Sequence, residues 1–164
     1  MKGLFSEHKL RRFLQYLLYM FLVLVAQNMF FTELRPLGVC PMILPAAAVA
    51  VGMFEDSIKG ALFGLLMGIF ADMAYIETTI AFTVLLPLLA FGAGFFSQFF
   101  INRRFFAYMG AAAAALLITA LLQMELVIAS DAWSPSILTT ALLQTLWSLP
   151  PAVLLYFPPA KWIK

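Results

Sequence analysis

Six long apolar runs separated by very short breaks dominate this chain, at 13–31, 39–54, 58–75, 80–101, 105–129 and 137–157. A bilayer hydrocarbon core of about 30 Å takes on the order of 20 apolar residues per helix, so little of the chain is left over for anything but spans. Backbone polar groups in lipid must be satisfied within their own segment or by closing a barrel. None of the runs alternates strictly between polar and apolar residues, which favours helices. The expected fold is all-α: one transmembrane domain, 1–164, built as a compact bundle of six helices.

Composition agrees with that reading. Of 164 residues, 64% are hydrophobic and 11% charged, against roughly 45–50% and 25% in soluble domains; the mean hydropathy is +0.98. No room remains for a soluble catalytic domain, and a net charge of +2 gives no support to nucleic-acid binding. The run at 13–31 is longer than a signal-peptide core of about 7–15 residues, and no A-x-A site closes it, so it is expected to be a retained first span.

The charges fix an orientation. With sequential spans alternating direction, Lys2, Lys9, Arg11, Arg12, Lys59, Arg103, Arg104, Lys161 and Lys164 fall on one side and Arg35 alone on the other. Short loops obey the positive-inside rule, so both termini are expected in the cytoplasm. Glu7, Glu55 and Asp56 share that side, whereas Glu33, Asp72, Glu77, Glu125 and Asp131 lie at or toward the outside. Tyr75, Trp133, Tyr156 and Trp162 stand near span ends, where amphipathic rings prefer the headgroup region.

The sharpest local pattern is in the third span, where Lys59-Gly60 is followed by Gly64, Gly68 and Asp72 at intervals of four. Such residues drift by about 40° per step on a helix of 3.6 residues per turn, so the glycines form a slanting groove that admits another backbone. Whether that backbone belongs to this chain or to a partner is left open by the sequence. Asp72 extends the line toward the outer surface, where a carboxylate is costly unless hydrated, paired or hydrogen-bonded. It reads as a helix-end cap, a partner contact or a ligand- or proton-handling group. Ala107, Ala111, Ala115, Thr119 and Gln123 form a second stripe, a natural mate for the glycine groove. Pro41 and Pro45 in the second span, Pro87 in the fourth and Pro150 with Pro151 in the sixth mark kinks, and Pro158 with Pro159 is expected to close the last helix.

Gln15, Gln27, Asn28, Gln123 and Gln144 invite hydrogen bonds between helices, and Glu125, level with Asp72 in upright helices, makes these two acids the possible functional pair. Catalytic constellations are missing from the sequence. His8 is the sole histidine, Ser97, Ser130, Ser134 and Ser148 have no neighbouring base, and Cys40 is the single cysteine. Neither a nucleophile–base pair nor a metal or cofactor site is expected.

The order of these features resembles the MreD family, the small polytopic inner-membrane component of the bacterial rod-shape system. The similar features are the basic amino terminus, the second span with Pro41 and Pro45, and the third with Gly60, Gly64, Gly68 and Asp72. The fourth span with Gly92 and Gly94 and the basic end at Lys161 and Lys164 complete the likeness. The resemblance implies a non-enzymatic scaffold that associates with MreC, a bitopic protein, and through it with MreB filaments and the RodA and penicillin-binding-protein pair. A short basic cytoplasmic face suits anionic lipid or an acidic partner. Two rival readings stand beside it: a substrate-binding membrane subunit of a vitamin-type energy-coupling-factor transporter, and a small ion carrier using Asp72 and Glu125.

Overall fold

The structure is a computed structural model that describes residues 7–31, 33, 38–74, 82–99, 105–129 and 136–162. Among the described residues the regular structure is entirely helical: α1 Glu7–Ala26 continued by a π-turn at Gln27–Phe31, α2 Leu44–Phe54, α3 Ser57–Ala74, α4 Phe82–Phe99, α5 Phe105–Ala129 and α6 Ser136–Trp162. Four segments, Leu10–Phe31, Ser57–Ala74, Phe105–Met124 and Ser136–Lys161, are long and apolar enough to cross a membrane; Leu44–Phe54 and Phe82–Gln98 are shorter apolar helices.

The distribution of side chains is the reverse of a soluble protein's. Small residues fill the interior, with Ala46, Ala47, Ala48, Ala50, Ala90, Ala112, Ala141 and Ala152 all fully buried. Bulky aliphatic and aromatic side chains point outward, among them Leu14, Phe21, Leu62, Phe70, Leu88, Phe96, Leu146 and Leu154. Lipid tails are as apolar as leucine, so helices gain nothing by hiding leucine from them and gain contact by bringing backbones close. This is the surface and interior of a helical membrane protein.

Helix α2 is the axis of the bundle. All 11 of its residues are buried, and it packs against α3, α4, α5 and α6. At 1.5 Å per residue it is only about 16 Å long, shorter than the helix expected over 39–54. It begins at Leu44 with Pro45 in the first turn, where the missing N–H would have had no partner anyway. Residues 39–43 precede it as non-helical backbone.

The last helix also differs from expectation. Pro158 and Pro159 do not close α6, which continues to Trp162 with four prolines inside it. A proline at 159 cannot donate to the carbonyl of Leu155, and the Tyr19 hydroxyl of α1 donates to that oxygen instead, at 3.1 Å. Replacement of a lost backbone donor by a neighbouring side chain is what allows proline to persist inside a membrane helix.

Helix α1 is held along one stripe, with Tyr19, Met20, Val23 and Gln27 buried. Tyr19 stacks on Phe63 of α3 at 6.0 Å and Tyr16 meets the same ring edge-on at 6.3 Å. Tyr156, expected near a span end, is partly buried among rings. It lies 5.2 Å from Phe54, 5.2 Å from Phe105 and 5.4 Å from Tyr108. Tyr75, Trp133, Arg35, Glu77, Asp131, Arg103 and Arg104 lie outside the described residues.

Candidate functional site

The glycine groove of α3 is filled by this chain. A methyl group added at Gly68 would stand 2.5 Å from the Phe82 carbonyl oxygen, at Gly64 2.8 Å from that of Leu86, and at Gly60 2.4 Å from the Gly52 Cα and 3.5 Å from the Ala90 oxygen. The three α4 partners, 82, 86 and 90, retreat by four as the glycines advance by four. That is the signature of two antiparallel helices meeting turn for turn at backbone distance. Gly52 of α2 closes the junction, since its Cβ would fall within 3 Å of the Ala90 carbonyl.

The α5 stripe is therefore not the mate of the glycine groove. Ala115 is buried and Ala107 and Ala111 are partly buried, in a cluster with Ala46, Val49, Ala50 and Met53 of α2 and Ala152 of α6. The physical reason is competition for the groove. Helix α4 follows α3 closely in the chain and occupies the glycines, and the alanines pack on α2.

Asp72 stands at the far end of the α3–α4 seam. Its Oδ1 accepts the backbone N–H of Phe82 at 2.8 Å, and its Oδ2 accepts the N–H of Thr83 at 2.9 Å and the Thr83 hydroxyl at 2.5 Å. The first turn of any helix leaves N–H groups without intrahelical partners and carries partial positive charge. Of the three roles open to Asp72, the observed contacts are those of a helix cap. Glu125 belongs to α5, and its side chain lies outside the described residues.

A second polar assembly surrounds residues 39–43. Gln27, in the π-turn and 2% exposed, donates from Nε2 to the Pro41 carbonyl at 3.0 Å and accepts the Ile43 N–H on Oε1 at 2.7 Å. The Met42 N–H donates to the Ser148 hydroxyl of α6 at 2.9 Å, and that hydroxyl donates to the Gln144 carbonyl at 2.6 Å. Gln144 in turn donates to Gln123 of α5 at 3.0 Å. Non-helical backbone inside a membrane bundle persists only where protein satisfies it, and here Gln27 of the π-turn and Ser148 of α6 do so. The sequence flagged Gln27, Gln123 and Gln144 as polar groups within spans, but nothing in their spacing announced that the chain at 39–43 would leave the helix. The π-turn, which adds a residue to one turn and re-aims the next side chain, has no sequence signal of its own.

At the other end of the bundle, in the α2–α3 connection, Glu55 accepts the Tyr16 hydroxyl at 2.8 Å and pairs with Lys59 at 2.8 Å. Burial opposes ionisation of Glu55, but hydrogen bonds from Lys59 and Tyr16 and the charges of Lys59 and Arg12 outweigh it, holding the carboxyl below its ordinary range. Gln98 of α4 donates to Asp56 at 2.5 Å, and the Ser97 hydroxyl donates to the Met53 carbonyl at 3.2 Å. Together these contacts pin α1 and α4 to the turn between α2 and α3.

The described residues bring no three metal-binding side chains together. The described polar contacts tie helices and connections together, and with the apolar outer surface they define a helical membrane protein. Comparison with protein-family models, curated proteins and solved structures returned no match.

Proposed function

We propose that this chain is a non-enzymatic membrane scaffold of a bacterial cell-shape and wall-elongation assembly, seated in the cytoplasmic membrane. It binds an MreC-like bitopic protein, and through it MreB and the RodA/penicillin-binding-protein pair. The reading rests on the resemblance to the MreD family. The observation that best supports it is the inward use of the chain's polar and small residues. Gly60, Gly64 and Gly68 receive α4 and α2, and Asp72 places both oxygens on the α4 amino terminus. What remains for other molecules is the outside: apolar helix faces and a basic end.

The proposal includes six crossings with both termini cytoplasmic. Five residues of non-helical chain at up to about 3.3 Å each, added to the roughly 16 Å of α2, reach about 30 Å, enough for 39–54 to cross as a half-helix. The nine-to-one distribution of Lys and Arg then sets the direction.

Co-purification of the native complex followed by mass spectrometry is the direct test. A single-span protein with a large extracytoplasmic part should be recovered, and depletion in a rod-shaped host should give rounded cells. Cells that stay rod-shaped with no such partner recovered would overturn the scaffold. Saturable binding of a vitamin by the purified protein would replace it with the transporter-subunit reading.

A further inference from the structure

The basic end of α1 carries two arginines that the fold treats differently. Arg12 acts electrostatically on Glu55 and Tyr16. Arg11 is exposed, and neither it nor Gln15 makes a hydrogen bond or ion pair with another described side chain. Arg11 and Gln15 form one helical ridge and Leu10, Leu14 and Leu18 the next, with a shallow groove of about 350 Å³ between them on the outer face of α1.

We infer that this groove seats an anionic phospholipid, with its phosphate on Arg11, a glycerol-ester carbonyl on the Gln15 amide and an acyl chain along Leu14 and Leu18. Charge complementarity selects the headgroup: a guanidinium matches phosphate oxygens through two parallel hydrogen bonds, and a lipid with no ammonium of its own leaves that negative charge uncompensated. The polar groups descend in the right order. Gln15 lies one turn, about 6 Å, deeper along the helix than Arg11, and ester carbonyls lie deeper in a bilayer than phosphates. Leucine ridges without a small residue keep another helix backbone at a distance, whereas a flexible acyl chain conforms to them. The inference does not depend on the scaffold reading, since lipid retention is a property of the purified chain.

The test is native mass spectrometry of the protein exchanged into micelles containing equal phosphatidylglycerol and phosphatidylcholine of identical acyl chains. The wild-type protein should retain phosphatidylglycerol preferentially. Arg11→Gln should lower that preference about fivefold, the effect of one arginine at an anionic surface, while Lys161→Gln, with the same change of net charge, should leave it in place. Leu14→Trp fills the groove and keeps Arg11, so it should also displace the lipid. Equal retention of the two lipids by wild type, an unchanged preference in Arg11→Gln, or full retention in Leu14→Trp would each overturn the site.

Discussion

Gln27 and Ile43 are joined by a 2.7 Å hydrogen bond from the Ile43 N–H to the Gln27 Oε1, and the same amide serves the Pro41 carbonyl through its nitrogen. One side chain thus completes both a donor and an acceptor of backbone that has left the helix. Replacing Gln27 by Leu keeps approximate size and removes both partners. Each orphaned group costs about 1–3 kcal/mol, so Gln27→Leu should unfold well below wild type in a detergent melt. Gln27→Glu retains the acceptor for Ile43 alone and should fall between them. A Gln27→Leu protein as stable as wild type would show that the clamp does not hold the segment.

The glycines divide into two groups with opposite expected responses. A Cβ at Gly64 meets the Leu86 and Pro87 backbone at 2.8–2.9 Å, whereas at Gly92 and Gly110 nothing lies within 4 Å. Gly64→Ala should therefore force α3 and α4 apart and destabilise by about 1–3 kcal/mol. Gly110→Ala relieves a helix of its most flexible residue and should stabilise by about 0.5–1 kcal/mol. Denaturant titration followed by helical circular dichroism distinguishes the two, and a shared sign would mean that the α3–α4 seam is not set by backbone contact.

These contrasts show what the sequence could convey. The helical class, the groove at Gly60, Gly64 and Gly68, and the cap as one role for Asp72 were all legible, because a spacing of four residues has one geometric meaning on a helix. The partner of the groove was not. Small-residue stripes on α3 and α5 look alike in sequence, and the choice of α4 over α5 depends on which helix the connecting chain delivers. The break at 39–43 was hidden for a related reason. Pro41 and Pro45 permit a helix to start late, but only Gln27 and Ser148, 14 and 106 residues from their partners, make the unwound backbone tolerable. The continuation of α6 past Pro159 likewise depends on Tyr19, a residue 136 positions from the carbonyl it serves.

Glu55 gives the fold an acid-sensitive contact. Despite burial, the Lys59 and Tyr16 contacts hold its carboxyl below the ordinary glutamate range, so the folded state holds its proton less tightly than the unfolded chain does. The resulting stability is fully present above the unfolded value and is lost as pH falls through the folded one. Melting temperatures of wild type and Glu55→Gln should differ at pH 7 and converge as the pH is lowered below about 4. A gap that persists at pH 3 would place the contribution of Glu55 in neutral hydrogen bonding to Tyr16 rather than in its charge.

Ser57 opens α3 with a buried hydroxyl oxygen that has no hydrogen-bond partner among the described residues. An unsatisfied buried polar group costs about 1–3 kcal/mol, and alanine retains the Cβ while removing it. Ser57→Ala should leave the melt unchanged or raise it; a clear loss of stability would reveal a contact for the hydroxyl.

Asp72 separates a structural carboxylate from a working one. As a cap it needs acceptor oxygens facing Phe82 and Thr83, not a titratable proton. Asparagine keeps one such oxygen and is itself among the preferred capping residues, whereas alanine keeps none and typically costs about 0.5–2 kcal/mol. Asp72→Asn sets an amide nitrogen against one of those N–H donors, so it should fall between wild type and Asp72→Ala in thermal stability while still supporting any cellular activity. A carrier that moved protons or cations through this residue would behave the other way, losing function in Asp72→Asn while the protein stayed folded. The two substitutions, compared in the same detergent melt and the same cellular assay, decide between helix capping and charge transport at the end of the glycine seam.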